Sequence, residues 1–205
     1  MANKKPSDPE LYGDVMSELK GRLFLADDFI VKRLTTGSDI TDIEFIALQL
    51  RKVMELVALG SIVPNKAKYQ KLRENFHKDY HARRILVDLE KVNPNFFPKA
   101  MLRVPVSGPG ADVQVDKRQG VWLTKKRFER QYDKLGKVMH ADNPFAQRRP
   151  YAALYQQYRE LIKNLWELLE FHLITLVNGK AEWCVFMQDR NQPVKVLSLG
   201  PKISD

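Results

Sequence analysis

The stretch TDIEFIALQLRKVMELVALGSIVP, residues 41–64, limits the possible folds more than any other part of the chain. At 100° per residue, Phe45, Ile46, Leu50, Val53, Met54, Leu56 and Val57 cover a wide apolar arc. Thr41-Asp42-Ile43-Glu44 has the form of a capping box that would open this helix, and Pro64-Asn65 closes it. Glu44, Arg51 and Glu55 fall on the opposite side, with Arg51 and Glu55 four residues apart and able to pair. Leu48 and Leu59 share that polar stripe, which hints that other helices cover part of it. Arg51 and Glu55 then have two readings, an exposed ion pair or a polar cluster inside a cleft.

Four further amphipathic segments surround this helix in the sequence. Ser7-Asp8-Pro9-Glu10 is a capping box ahead of Val15, Leu19, Leu23, Phe24, Phe29 and Ile30. Residues 66–93 predict one bent helix or two short ones, with a break near Asp79. Thr124 is the predicted N-cap of KKRFERQYDKLGKVMH, in which Phe128, Tyr132, Leu135 and Met139 fall at helical spacing as core. Tyr151 opens the last helix, with Leu154, Tyr158, Leu161, Ile162, Leu165, Leu168 and Leu169. Residues 95–122 lose the helical period and read as an irregular insertion with a weak hairpin, MLRVPV and ADVQVD. After residue 171, apolar runs separated by Asn178-Gly179 and Asn191-Gln192-Pro193 predict a three-stranded antiparallel meander over about 172–177, 181–188 and 194–199. The expected architecture is mainly α. It is a single domain with a bundle of about five helices over 8–171, the insertion at 95–122, and a small sheet over 172–200.

Charge is the second constraint. The 205 residues carry a net +9, and residues 66–150 alone hold 20 basic and 9 acidic side chains, a net +11. An excess gathered on one face attracts polyanions. Nucleic acid is the partner this favours; an acidic protein and a merely solvated surface are the alternatives. Lys125, Lys126, Arg127, Arg130, Lys134, Arg83, Arg84, Arg148 and Arg149 are the candidate contacts, with Tyr69, Tyr80, Trp122 and Tyr132 interleaved for base stacking. With one cysteine, Cys184, no intramolecular disulfide can form. The opening MANKKPSDPELYG has no apolar run, and no stretch approaches the ~20 apolar residues needed to span a bilayer. The expectation is a cytoplasmic chain without membrane contact. Its oligomeric state is open, a homodimer included.

Catalytic motifs are sparse. There is no zinc-type cysteine pair, no phosphate-binding glycine loop and no Gly-x-Ser-x-Gly elbow, so no metal or cofactor is implied. His77 and His81 are four apart, but Lys78 and Asp79 follow His77 where a metalloprotease would need Glu. Cys184, between Trp183 and Val185, reads as a buried strand thiol. The stretch GKVMHADNPFAQRRPY, residues 136–151, is the one place where polar groups gather at a helix end. His140 reads as a partly charged imidazole at a helix C-terminus. The sharper alternative groups His140, Asn143, Arg148 and Arg149 at a mouth between helices, with Arg51 and Glu55 as second members. Histidine would transfer protons and arginine would stabilise a phosphate oxyanion, enough for a metal-independent ribonuclease.

Amphipathic bundle, basic face and His/Arg constellation together resemble the HEPN superfamily over about residues 8–172, leaving out the insertion. The resemblance implies a helical bundle acting on RNA in a prokaryotic defence or regulatory system. The family motif places Arg four to six residues before His. Here Arg73 stands three residues clear of His77 and seven clear of His81, so no catalytic residue is carried over. A third expectation is an adaptor that binds protein by strand addition at VKVLSL, residues 194–199.

Overall fold

The structure is a computed structural model and describes residues 6–105, 113–141, 144–145, 150–177, 179 and 181–200. It is mainly helical with an antiparallel sheet. Helix α2 (Asp39–Ile62) lies at the centre and touches α1 (Asp8–Ile30), α4 (Ala82–Val92), α5 (Lys125–Val138) and α6 (Tyr151–Leu169). Its wide apolar arc explains this position, since Ile43, Ile46, Ala47, Leu50, Val53, Met54 and Ala58 are all fully buried. Short α3 (Lys66–Leu72) and a 3₁₀ turn at Phe76–Lys78 precede α4, so the break predicted near Asp79 is present.

The sheet is larger than the sequence predicts. Strands β1 (Lys99–Pro105) and β2 (Val113–Lys117) pair with each other. β1 then joins β3 (Phe171–Thr175), and β4 (Glu182–Phe186) and β5 (Lys195–Leu199) follow, giving the order β2-β1-β3-β4-β5. The expected three strands are therefore five, in one antiparallel sheet. The insertion's hairpin is tied on by Lys99 and Ala100 opposite Leu173 and His172, a pairing across more than seventy residues that no local pattern announces. The inner sheet face, with Ala100, Ile174, Trp183, Val185 and Met187, continues the helical core. The outer face carries a second apolar cluster of Met101, Phe171 and Cys184, with Leu173 and Phe186 beside it. Cys184 is buried, and burial raises its thiol pKa.

Two buried polar contacts fix the sheet to α1. The His172 ring is fully buried, with Nε2 2.9 Å from the Tyr12 hydroxyl and Nδ1 2.7 Å from the Leu169 carbonyl. Burial lowers its pKa to about 4, so at neutral pH the ring is uncharged, donating from Nδ1 and accepting the tyrosine proton at Nε2. Lys20, only 5% exposed, donates to the carbonyls of Met187 at 3.0 Å, Asp189 at 3.1 Å and Gln192, closing the β4–β5 connection onto α1.

Two local predictions fail. The Ser7 box forms, with the Ser7 amide donating to Glu10 at 2.7 Å. The second box does not: α2 starts at Asp39 with Ser38 as N-cap, and Thr41 lies inside its first turn. Asp42 is engaged elsewhere. It is fully buried and accepts from the Thr36 amide at 2.6 Å, the Thr36 and Thr35 hydroxyls and Lys32. Burial alone would raise its pKa, but these donors together hold it at about 2. Met139, predicted as core, is 44% exposed because α5 ends at Val138 and the next turn leaves the bundle.

Candidate nucleic-acid interface

Helix α5 begins where Thr124 Oγ1 accepts from the Arg127 amide at 3.4 Å, as its sequence predicts. Phe128, Tyr132, Leu135 and Val138 turn inward and are buried. Lys126, Arg130, Lys134 and Lys137 recur at intervals of four, four and three, and all four are exposed on the outer ridge. Among the described residues none of these four makes a hydrogen bond or ion pair. Like charges so spaced destabilise a helix by about 0.2–0.5 kcal/mol per pair. The first turn is Lys125-Lys126-Arg127 with no acid, so it also opposes the helix dipole. The four ridge cations therefore work against the local helix rather than for it.

α4 packs beside α5 in the opposite direction, because Arg83 near its start reaches Asp133 at 3.1 Å while Glu90 near its end pairs with Lys125. Arg83 thus flanks the α5 ridge. Arg84 is exposed and lines an open hollow with Lys78, Tyr80 and His81. Lys125 and Arg127 differ from the ridge residues. Lys125 is half-buried against Glu90, and Arg127 donates to the Trp122 carbonyl at 3.0 Å and covers the Trp122 ring at 5.0 Å. Of the four aromatics expected to stack on bases, Tyr69 and Tyr132 are buried in the core, while Tyr80 and Trp122 are 76% and 38% exposed.

Arg51 and Glu55 form the polar cluster that the covered stripe of α2 suggested. α5 lies over them, and their side chains keep 22% and 25% exposure. Arg51 Nη2 donates to the Tyr132 hydroxyl at 2.6 Å, Tyr132 donates to Glu55 at 3.0 Å, and Arg51 Nε lies 3.3 Å from Glu55. Burial first, then the Glu55 charge, pushes the Tyr132 pKa up to about 12, so this hydroxyl stays protonated. Gly136 makes room for the arginine: a Cβ there would lie 2.6 Å from Arg51 Nη1.

His140 is exposed two residues beyond the end of α5. Asn143, Arg148 and Arg149 lie outside the described residues. His77 and His81 do not share a helix face, since one is in the 3₁₀ turn and the other is the N-cap of α4. Arg73 pairs with Asp79, at 2.6 Å, and Asp88, at 3.4 Å. Among the described residues no three His, Cys, Asp or Glu side chains are grouped to hold a metal, and no helix is long and apolar enough to cross a membrane. Comparison with protein-family models, with curated proteins and with solved structures finds no match to this chain.

Proposed function

We propose that the protein binds nucleic acid through the outer ridge of α5, with Arg83 and Arg84 of α4 alongside. The observation that carries this is the row Lys126, Arg130, Lys134 and Lys137: exposed, without partners among the described residues, and contrary to local helix stability. Charges that do not serve the fold fit an external polyanion, and lysine and arginine at one-turn intervals suit a phosphate backbone. Binding is favoured over cleavage because Arg51 and Glu55 are already engaged with Tyr132. A HEPN-like place in a prokaryotic defence or regulatory system belongs to the same proposal.

Fluorescence anisotropy with labelled single strands and duplexes over a salt series tests this reading. Log K should fall linearly with log salt. Each ridge cation changed to Ala should reduce the slope by about one unit on duplex DNA. Affinity that is absent, or that ignores salt, would remove the proposal. RNA loss that persists in EDTA and stops in His140→Ala, with folding intact, would assign cleavage instead.

A further inference from the structure

Where α6 hands the chain to β3, an open cavity of about 600 Å³ lies between α1, α6 and the sheet. Its apolar walls are aromatic. Phe171 and Phe186, opposite each other on β3 and β4, stack with centroids 4.6 Å apart and planes 12° from parallel. Phe24 and Trp166 meet across α1 and α6 at 5.0 Å. Its polar walls are Arg103, Arg118, Glu170, Gln188 and Asp189. The exposed Arg103 guanidinium lies 4.5 Å above the Phe186 ring. Arg118 approaches Glu170 only to 3.8 Å, and its Nε is buried without an acceptor among the described residues.

One wall is held in an uncommon backbone conformation. Gln188 has φ of 60°, a left-handed value few side chains adopt. The carbonyls on either side of it, those of Met187 and Asp189, are the ones Lys20 grips from within. A buried cation thus fixes the strained residue that lines the cavity, and maintained strain of this kind gathers at functional sites.

The cavity also joins the basic surface. Arg118 lines a second hollow with Lys99, Lys117 and Thr124, and Thr124 caps α5. Trp122, covered by Arg127, lies two residues before Thr124. Arg118 thus stands between the cavity and the hollow at the start of α5, and cations beside aromatic rings suit a single strand.

We propose that this cavity receives one unstacked base of a single-stranded nucleic acid, its plane against Trp166 and the Arg103 guanidinium that lies over the stacked Phe186 and Phe171 rings, and its edge toward Glu170, Gln188 and Arg118. The inference rests on the nucleic-acid reading above and adds the strand type. A carboxylate accepts from an exocyclic amino group, and an arginine donates to a ring nitrogen or carbonyl oxygen. A duplex presents no free base face, and an aliphatic ligand would leave the buried Arg118 Nε without an acceptor.

The test compares the full chain binding a single strand of about twelve nucleotides, an abasic strand of equal length and a matching duplex. Ribose and deoxyribose strands are both used. The intact single strand of at least one sugar should bind on the order of tenfold more tightly than its abasic counterpart. In a protein carrying Trp122→Phe and Trp183→Phe, which leaves Trp166 as the one tryptophan, the intact strand should quench Trp166 emission and the abasic strand should not. Phe186→Leu, and separately the exposed Arg103→Gln, should reduce the intact strand to the abasic level, with duplex affinity unchanged in Phe186→Leu. Equal binding of intact and abasic strands, or silent Trp166 emission, overturns the inference and leaves the α5 reading standing. No binding to any of the polymers removes both.

Discussion

Helices α1 and α5 use their cations in opposite ways. On α1 and the turn after it, every lysine or arginine from Lys20 onward has an internal partner. Lys20 holds three carbonyls, Arg22 holds Glu18 and Gln49, Lys32 holds Asp39, Asp42 and Tyr155, and Arg33 holds Asp28. On α5, Lys126, Arg130, Lys134 and Lys137 have none among the described residues. A cation that binds a buried carbonyl or carboxylate contributes to the fold. A row of cations that repel one another on an exposed ridge contributes a field. Counting lysines and arginines does not separate the two; asking what each ammonium or guanidinium touches does.

The largest expected difference is in binding. Lys126, Arg130 and Lys134 changed together to Glu should lower nucleic-acid affinity on the order of a hundredfold or more at moderate salt. Thermal stability should change little, because the ridge still carries like charges at four-residue spacing while a carboxylate at position 126 suits the helix N-terminus. A large fall in melting temperature would show that the ridge is structural and erase the contrast. On α1 the outcome should invert. Lys20→Met leaves three carbonyls without their donor, and urea unfolding should show a loss on the order of 3 kcal/mol. An unchanged midpoint would mean that the β4–β5 connection is held by other contacts.

His172 sharpens the same contrast through pH. Its pKa is about 4 when folded and 6.5 when free, so the unfolded chain binds the extra proton between these values. Stability is therefore full above about pH 6.5 and is lost as pH falls toward 4, by on the order of 3 kcal/mol in total. Denaturation midpoints measured across that range should show the slope, and His172→Gln should flatten it. Tyr132→Phe tests the cluster between α2 and α5. It removes a hydroxyl that both accepts from Arg51 and donates to Glu55, for an expected loss of about 1–2 kcal/mol with nucleic-acid affinity unchanged. A drop in affinity equal to that of the ridge variant would place this cluster in the interface.

Much of the helical framework is legible in the sequence, because helices follow local rules. The apolar arc of α2, the Thr124 cap and the start of α6 at Tyr151 appear as predicted. The Arg51–Glu55 spacing also announced a pair, and the leucines on that stripe hinted at its cover. The misses have a common origin. Thr41-Asp42-Ile43-Glu44 reads as a cap, yet Asp42 serves donors from the preceding turn and Lys32. Tyr69 and Tyr132 look like stacking residues among basic neighbours, but their rings complete the core. Nothing near Phe171 announces a partner at Phe186 or an arginine arriving from β1.

The sequence by itself determined where helices form, which of their faces are apolar, and that the positive charge gathers in the middle of the chain. Periodicity, capping and composition act over one or two turns and need no distant partner. Only the tertiary structure decided that five strands share one sheet, that Lys20 is bound inside while Lys126 is not, and that Arg103 and Arg118 line one cavity with aromatic side chains from α1, α6 and two strands. Those outcomes depend on contacts between segments more than fifty residues apart, where burial and geometry, rather than residue type, settle which groups find a partner.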